Sequence, residues 1–197
     1  GYTFEDWKKV SRETRTTVSA ANRVRWALGE EPALLSLQKP TNPGPVLAGD
    51  GGWIRQIAPL PVDRSMKIVP VALGVDLKAD LYLPAEGTAP RPLVVWLHPF
   101  AHANGYAWKA KAPFVELIRR GYAVLSFDQI GYGTRIEHAK DFYQRYPHWS
   151  LLGKMVADTR SAITAAATLK EIDPARIYLL GYALGGKVAL WTAALDE

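Results

Sequence analysis

The chain has 197 residues, 48% of them hydrophobic and 22% charged, a balance suited to one buried core and unlike that of a disordered polymer. Its formal net charge is +5, but Lys8, Lys9, Arg12 and Arg15 alternate with Glu5, Asp6 and Glu13, and no basic run interleaved with aromatics occurs, which argues against nucleic-acid binding. The absence of cysteine removes disulfides, thiolate zinc sites and a cysteine nucleophile.

In chain order, residues 4–28 carry Trp7, Val10, Val18, Val24 and Leu28 among charges and are expected to be helical. Residues 29–52 hold five prolines or glycines between positions 40 and 49 alone and read as an irregular connector. Residues 62–75 and 77–83 alternate apolar and polar positions, which predicts an antiparallel hairpin turning near Gly74.

From residue 91 onward, short uniformly apolar runs alternate with helical periods. Strands are expected at 92–98, 122–128 and 176–180. Helices are expected at 108–120, closed by Gly121, at 149–169, with Ser150 as a cap, and at 184–195. Asp173-Pro174 marks a turn before the last strand. Such strands alternating with helices predict an α/β fold with a sheet covered on both faces. The chain divides into an N-terminal helix and irregular extension, 1–64, and an α/β portion, 65–197. The longest apolar stretches, 93–97 and 177–180, are far too short to span a bilayer, and no membrane partner is expected.

Residues 177–186 read Ile-Tyr-Leu-Leu-Gly-Tyr-Ala-Leu-Gly-Gly, a strand, a sharp turn and a helix start. A G-x-S-x-G turn of this kind lifts the central side chain above the sheet edge, with small residues flanking it so that the backbone passes. Here the central residue is Ala183, whose methyl group cannot attack anything. Two further segments fall at the ends of expected strands, Leu97-His98-Pro99-Phe100 and Asp128-Gln129-Ile130-Gly131-Tyr132-Gly133.

Together these three segments resemble the α/β-hydrolase superfamily over residues 65–197, and the extension and hairpin before the sheet look most like its acetyl-xylan-esterase and dienelactone-hydrolase branches. The resemblance implies a nucleophile elbow carrying alanine in place of serine or cysteine, with serine favoured as the commoner nucleophile on this fold. It implies an oxyanion hole formed by the backbone N–H groups of Leu184 and Phe100, because Pro99 has no N–H. One such donor is typically worth about 3 kcal/mol of barrier. Tyr182, Phe100 and Trp149 are the candidate substrate-binding side chains, with Tyr106, Trp108 and Tyr132 as further aromatics near the mouth.

In that fold the acid and the histidine follow the nucleophile in chain order, so they and the later strands would lie beyond residue 197, on a second chain or fragment completing the domain, and the 176–180 strand is expected at a sheet edge. His98 reads as structural, and His102, His138 and His148 as loop residues upstream of the turn. Asp128 reads as a loop anchor and Arg135 as a loop staple or surface residue beside Glu137. Asp158 reads as a solvated helix residue, and Asp173 as a turn initiator.

No ligand-spaced His/Asp/Glu cluster is present, so neither a metal nor another cofactor is expected. The implied function is that of a carboxylic ester hydrolase, secreted or periplasmic, acting on a small ester or an acetylated carbohydrate through an acyl-enzyme and disabled by Ala183. Three alternatives stay open: a natural pseudoenzyme that binds a carbohydrate or a partner protein without cleaving it, a dienelactone-hydrolase-like enzyme whose cysteine has been replaced, and a metal-independent lactone or peptide hydrolase on the same fold.

Overall fold

The computed structural model describes residues 5, 19–30, 66–73, 77–100 and 113–195. The expected first half of the N-terminal helix, residues 31–52 of the connector, residues 62–65 of the first hairpin strand, the turn at Gly74, the 108–112 helix start and His102, Tyr106 and Trp108 lie outside these residues.

The elements run α1 (Ala20–Leu28), β1 (Met66–Leu73), β2 (Leu77–Pro84), β3 (Arg91–Leu97), α2 (Phe114–Arg119), β4 (Ala123–Phe127), α3 (Phe142–Arg145), α4 (Leu151–Ala166), β5 (Ile172–Gly181) and α5 (Leu184–Ala193). Among the described residues the strands form one five-stranded sheet in the order β1-β2-β4-β3-β5. The hairpin pairs antiparallel from Met66 opposite Pro84 to Leu73 opposite Leu77, and β2 runs antiparallel to β4. Strand β3 is parallel to β4 on one side and to β5 on the other, so three parallel strands deliver their carboxyl ends to the same edge.

The apolar runs of β3 and β4 exist because both faces of the sheet are covered. Leu93, Val95, Leu97, Leu125 and Phe127 point into a large core shared with Val156, Ala162 and Val188 of α4 and α5. The alternate residues Val94, Trp96 and Val124 point the other way, where Tyr82, Trp96 and Val124 pack with Phe114 and Ile118 of α2. Tyr82 and Phe114 lie with ring centroids 4.9 Å apart, and Trp96 meets Phe114 edge-on at 6.0 Å.

Helix α4 begins as its sequence predicts. Ser150 Oγ accepts from Gly153 N at 2.8 Å, and its hydroxyl donates to the Leu28 carbonyl at 2.7 Å, which ties the end of α1 to the start of α4. Strand β5 starts four residues before its expected position. Asp173 does turn the chain, accepting from Ala175 N at 3.0 Å and from Arg176 Nε at 2.6 Å, but the turn is an irregularity within the strand: Arg91 pairs with Ile172 and Leu93 with Ile177. The Arg176 hydrogen bond, helped by the Ala175 amide, holds the Asp173 carboxyl below the ordinary carboxylate range.

Strand β5 is at the edge of the described sheet, and the face carrying Tyr178 and Leu180 is exposed. No helix among the described residues is long and apolar enough to cross a membrane.

Candidate active site at the carboxyl edge of the sheet

The turn between β5 and α5 is the most constrained backbone in the described structure. Ala183 has φ 52° and ψ −112°, and among the described residues it is the one non-glycine residue with positive φ. A residue bearing a β-carbon is costly there, on the order of 1–3 kcal/mol, so the surrounding structure must impose the conformation.

Close packing of two glycines imposes it. A β-carbon on Gly181 would overlap the carbonyl oxygen of Gly185 and lie 2.7 Å from Gly186 N. One on Gly185 would overlap the carbonyl oxygen of Leu97 and lie 2.8 Å from that of His98. The strand, the turn and the first turn of α5 are thus folded back on one another and pressed against the end of β3. The Gly185 amide donates to Tyr182 O at 3.0 Å and the Lys187 amide to Ala183 O at 3.1 Å, completing the helix start. Ala183 itself is exposed, flanked by Tyr182, which is 66% exposed, and by Leu184, which is buried.

The two neighbouring loops are fixed by hydrogen bonds across the sheet. His98 is buried, and its Nε2 accepts the backbone N–H of Gln129 at 2.9 Å; the proton therefore sits on Nδ1, which donates to Pro99 O at 2.6 Å. Burial pushes the His98 pKa below its ordinary value, against the opposing pull of the Pro99 bond and the Asp128 charge. Both ring nitrogens are committed, so His98 is a neutral tie between the loops after β3 and β4, as a structural histidine should be.

Asp128 anchors its loop by accepting from Thr134 N and Thr134 Oγ1, both at 2.8 Å. Arg135 is a buried staple: its Nη1 donates to Asp128 O at 3.1 Å and to Asp158 Oδ2 at 2.8 Å. The loop so held carries Tyr132, whose ring lies 5.4 Å from that of His98 and 6.3 Å from that of Phe100. Partial burial raises the Tyr132 pKa, so the phenol is neutral at this rim. Phe100 is 67% exposed.

The structure therefore brings Phe100, Tyr132 and the His98 tie into one cluster, and sets the Gly185 backbone directly against residues 97 and 98. It corrects two expectations. Trp149 is only 3% exposed, packed on Phe142 and Tyr146 with centroids at 5.7 and 5.6 Å, so it is a core residue rather than a substrate contact. Asp158 is 5% exposed rather than solvated, ion-paired to both Arg135 and Lys154.

Lys154 was missed by sequence reasoning, although its spacing of four from Asp158, within the apolar run Met155-Val156-Ala157, was a usable signal. Elsewhere Glu137 pairs with Lys140, His138 lends its carbonyl to Arg145 at 3.0 Å, and His148 is exposed. Among the described residues no group of His, Asp and Glu is placed to hold a metal ion.

A sheet of this order, with a strained strand-to-helix turn at the carboxyl edge, defines an α/β-hydrolase fold. The profile of the alpha/beta hydrolase family matches residues 94–196, and the chain belongs to that family. Among curated relatives it is 30% identical over 140 residues to YtaP of Bacillus subtilis (strain 168), covering 61% of this chain and 45% of that protein. It is 32% identical over 152 residues to hydrolase LUC6 of a Fusarium species, covering 75% of this chain and 33% of that one. The chain thus spans less than half the length of either relative.

Solved structures share the fold. An acetyl xylan esterase from Paenibacillus sp. R4 superposes with a TM-score of 0.58 at 20% identity, covering 89% of this chain and 60% of that one. A glucuronoyl esterase from Solibacter usitatus gives 0.59 at 15%, covering 99% and 57%.

Proposed function

We propose that residues 65–197 are the N-terminal part of a carboxylic ester hydrolase domain in which Ala183 occupies the nucleophile position, so that the covalent step is disabled. The observation that carries this reading is the backbone of Ala183. Its strained φ and ψ, at an exposed tip between two glycines that tolerate no side chain, are what a nucleophile elbow demands and what an ordinary loop avoids. The N–H of Leu184, at the start of α5, and that of Phe100, in the loop after β3, are the oxyanion donors in this reading, supported by the backbone contact that joins those two segments. Exposed Phe100 and Tyr182 would flank the bound substrate, a small ester or an acetylated carbohydrate.

A serine at 183 would attack the ester carbonyl. Its proton would pass to a histidine and then to the departing alcohol, and water would release the acyl group. That histidine and its carboxylate partner would come from the remainder of the domain, seated along the exposed β5 edge. The test is Ala183→Ser in the complete protein, assayed on 4-nitrophenyl acetate. Turnover several orders of magnitude above the parent is expected, and a folded variant that stays at background on acetyl, butyryl and uronate esters sinks the reading.

The exposed pair Phe100 and Tyr182 favours a second reading, a pocket that binds carbohydrate without cleaving it. A native alanine codon at 183, with binding of acetylated xylo-oligosaccharide that Tyr182→Ala abolishes, would support it over the first.

A further inference from the structure

At the opposite end of the sheet from Ala183, a cleft of about 280 Å³ opens where the start of β1, the turn between β2 and β3, the start of β3 and the turn before β5 converge. Arg91 and Leu97 stand at opposite ends of β3, about 20 Å apart at the usual rise per residue, so this cleft is separate from the candidate active site.

Four charged side chains line it: Lys67, Arg91, Lys170 and Glu171. The lining therefore carries two more positive than negative charges. Among the described residues none of the four forms an ion pair. A converging positive potential without a partner is relieved by an anion, and the cleft walls concentrate the field.

Arg91 is built in rather than merely present. Its Nη2 donates to Glu86 O, and Gly87, at φ +82°, lies so close that a β-carbon there would sit 2.5 Å from Nη2. Its backbone N–H bonds Glu171 O at 2.9 Å, which fixes the strand end carrying it. With Nη2 given to Glu86 O, the guanidinium keeps further N–H donors suited to a carboxylate or phosphate, while the two exposed lysines supply mobile point charges.

We propose that this cleft binds an oxyanion, carried on its ligand as a phosphate or a carboxylate group. The site does not depend on any chemistry at residue 183.

The experiment is calorimetric titration of the complete protein with inorganic phosphate and, separately, with tetragalacturonate, at constant ionic strength set with sodium chloride. Saturable one-to-one binding is expected with at least one probe. Phosphate alone would assign a phosphate-bearing ligand, tetragalacturonate alone a carboxylate-bearing one, and binding of both an oxyanion site that takes either group. Replacing Lys67 and Lys170 together by alanine should weaken binding about tenfold, and Glu171→Gln should tighten it about threefold, in line with a fraction of a kcal/mol per exposed charge pair. Circular dichroism checks that each variant is folded. Absence of saturable binding to both probes, or unchanged affinity in the double lysine variant, overturns the proposal.

Discussion

Gly185 lies with its α-carbon against the backbone of Leu97, leaving no room for a single methyl group between the first turn of α5 and the end of β3. Gly185→Ala must push helix and strand apart, and overpacking of this kind costs about 3 kcal/mol when the neighbour is backbone. Gly186→Ala one residue on is the control. Its nearest neighbour would be Gly181 O at 3.5 Å, an ordinary contact, so the better helix propensity of alanine should stabilise the protein by about 0.5 kcal/mol. Urea melts of the two variants should move in opposite directions.

At Ala183 the strain can be released without touching any contact. Glycine adopts φ 52° and ψ −112° freely, so Ala183→Gly should gain about 1 kcal/mol, net of the greater freedom of glycine in the unfolded chain. A higher urea midpoint at unchanged m-value is the expected result. A loss of stability would mean that the backbone at 183 is relaxed in solution.

Asp158 holds two buried cations, Arg135 and Lys154, at once. Asp158→Ala leaves both without their carboxylate and should cost about 3–5 kcal/mol, as removal of one side of a buried ion pair does. Because Arg135 also clamps the Asp128 carbonyl, the 128–135 loop should loosen first, read as faster amide exchange at Gly131 and Thr134 than in α4.

His98 gives stability a pH dependence of known sign. Burial holds its folded pKa below the unfolded value of about 6.5, so between those two values the unfolded chain binds the proton and the folded one does not. Its contribution is complete above about pH 6.5 and is lost as pH falls through the window beneath, with a slope of up to about 1.4 kcal/mol per pH unit. Denaturant titrations from pH 7.5 to 5 should show that fall, and His98→Gln, less stable throughout, should show a shallower one. Asp173 acts lower: its depressed pKa makes its contribution present above the unfolded carboxylate value and lost below it.

Much of this fold was legible because its signals are local. The hairpin, the uniformly apolar β3 and β4, the Ser150 cap and the Gly-Tyr-Ala-Leu-Gly turn are each written within a few consecutive residues, in period, turn chemistry and size. The early start of β5 was hidden, because Asp173-Pro174 carries a true turn signal that the sheet absorbs as an irregularity between two paired stretches.

The sequence by itself determined that a strand turns sharply into a helix around an alanine, since an apolar run ends at Gly181, a helical period follows, and Gly181 and Gly185 flank a small central side chain. Tertiary structure alone decided which polar side chains are interior. Asp158 meets Arg135 across 23 positions of sequence and His98 meets Gln129 across 31, while Trp149 turns inward onto Phe142. Burial and pairing of that kind depend on which face of a helix or loop the sheet happens to cover, and a linear pattern carries no record of a neighbour so far along the chain.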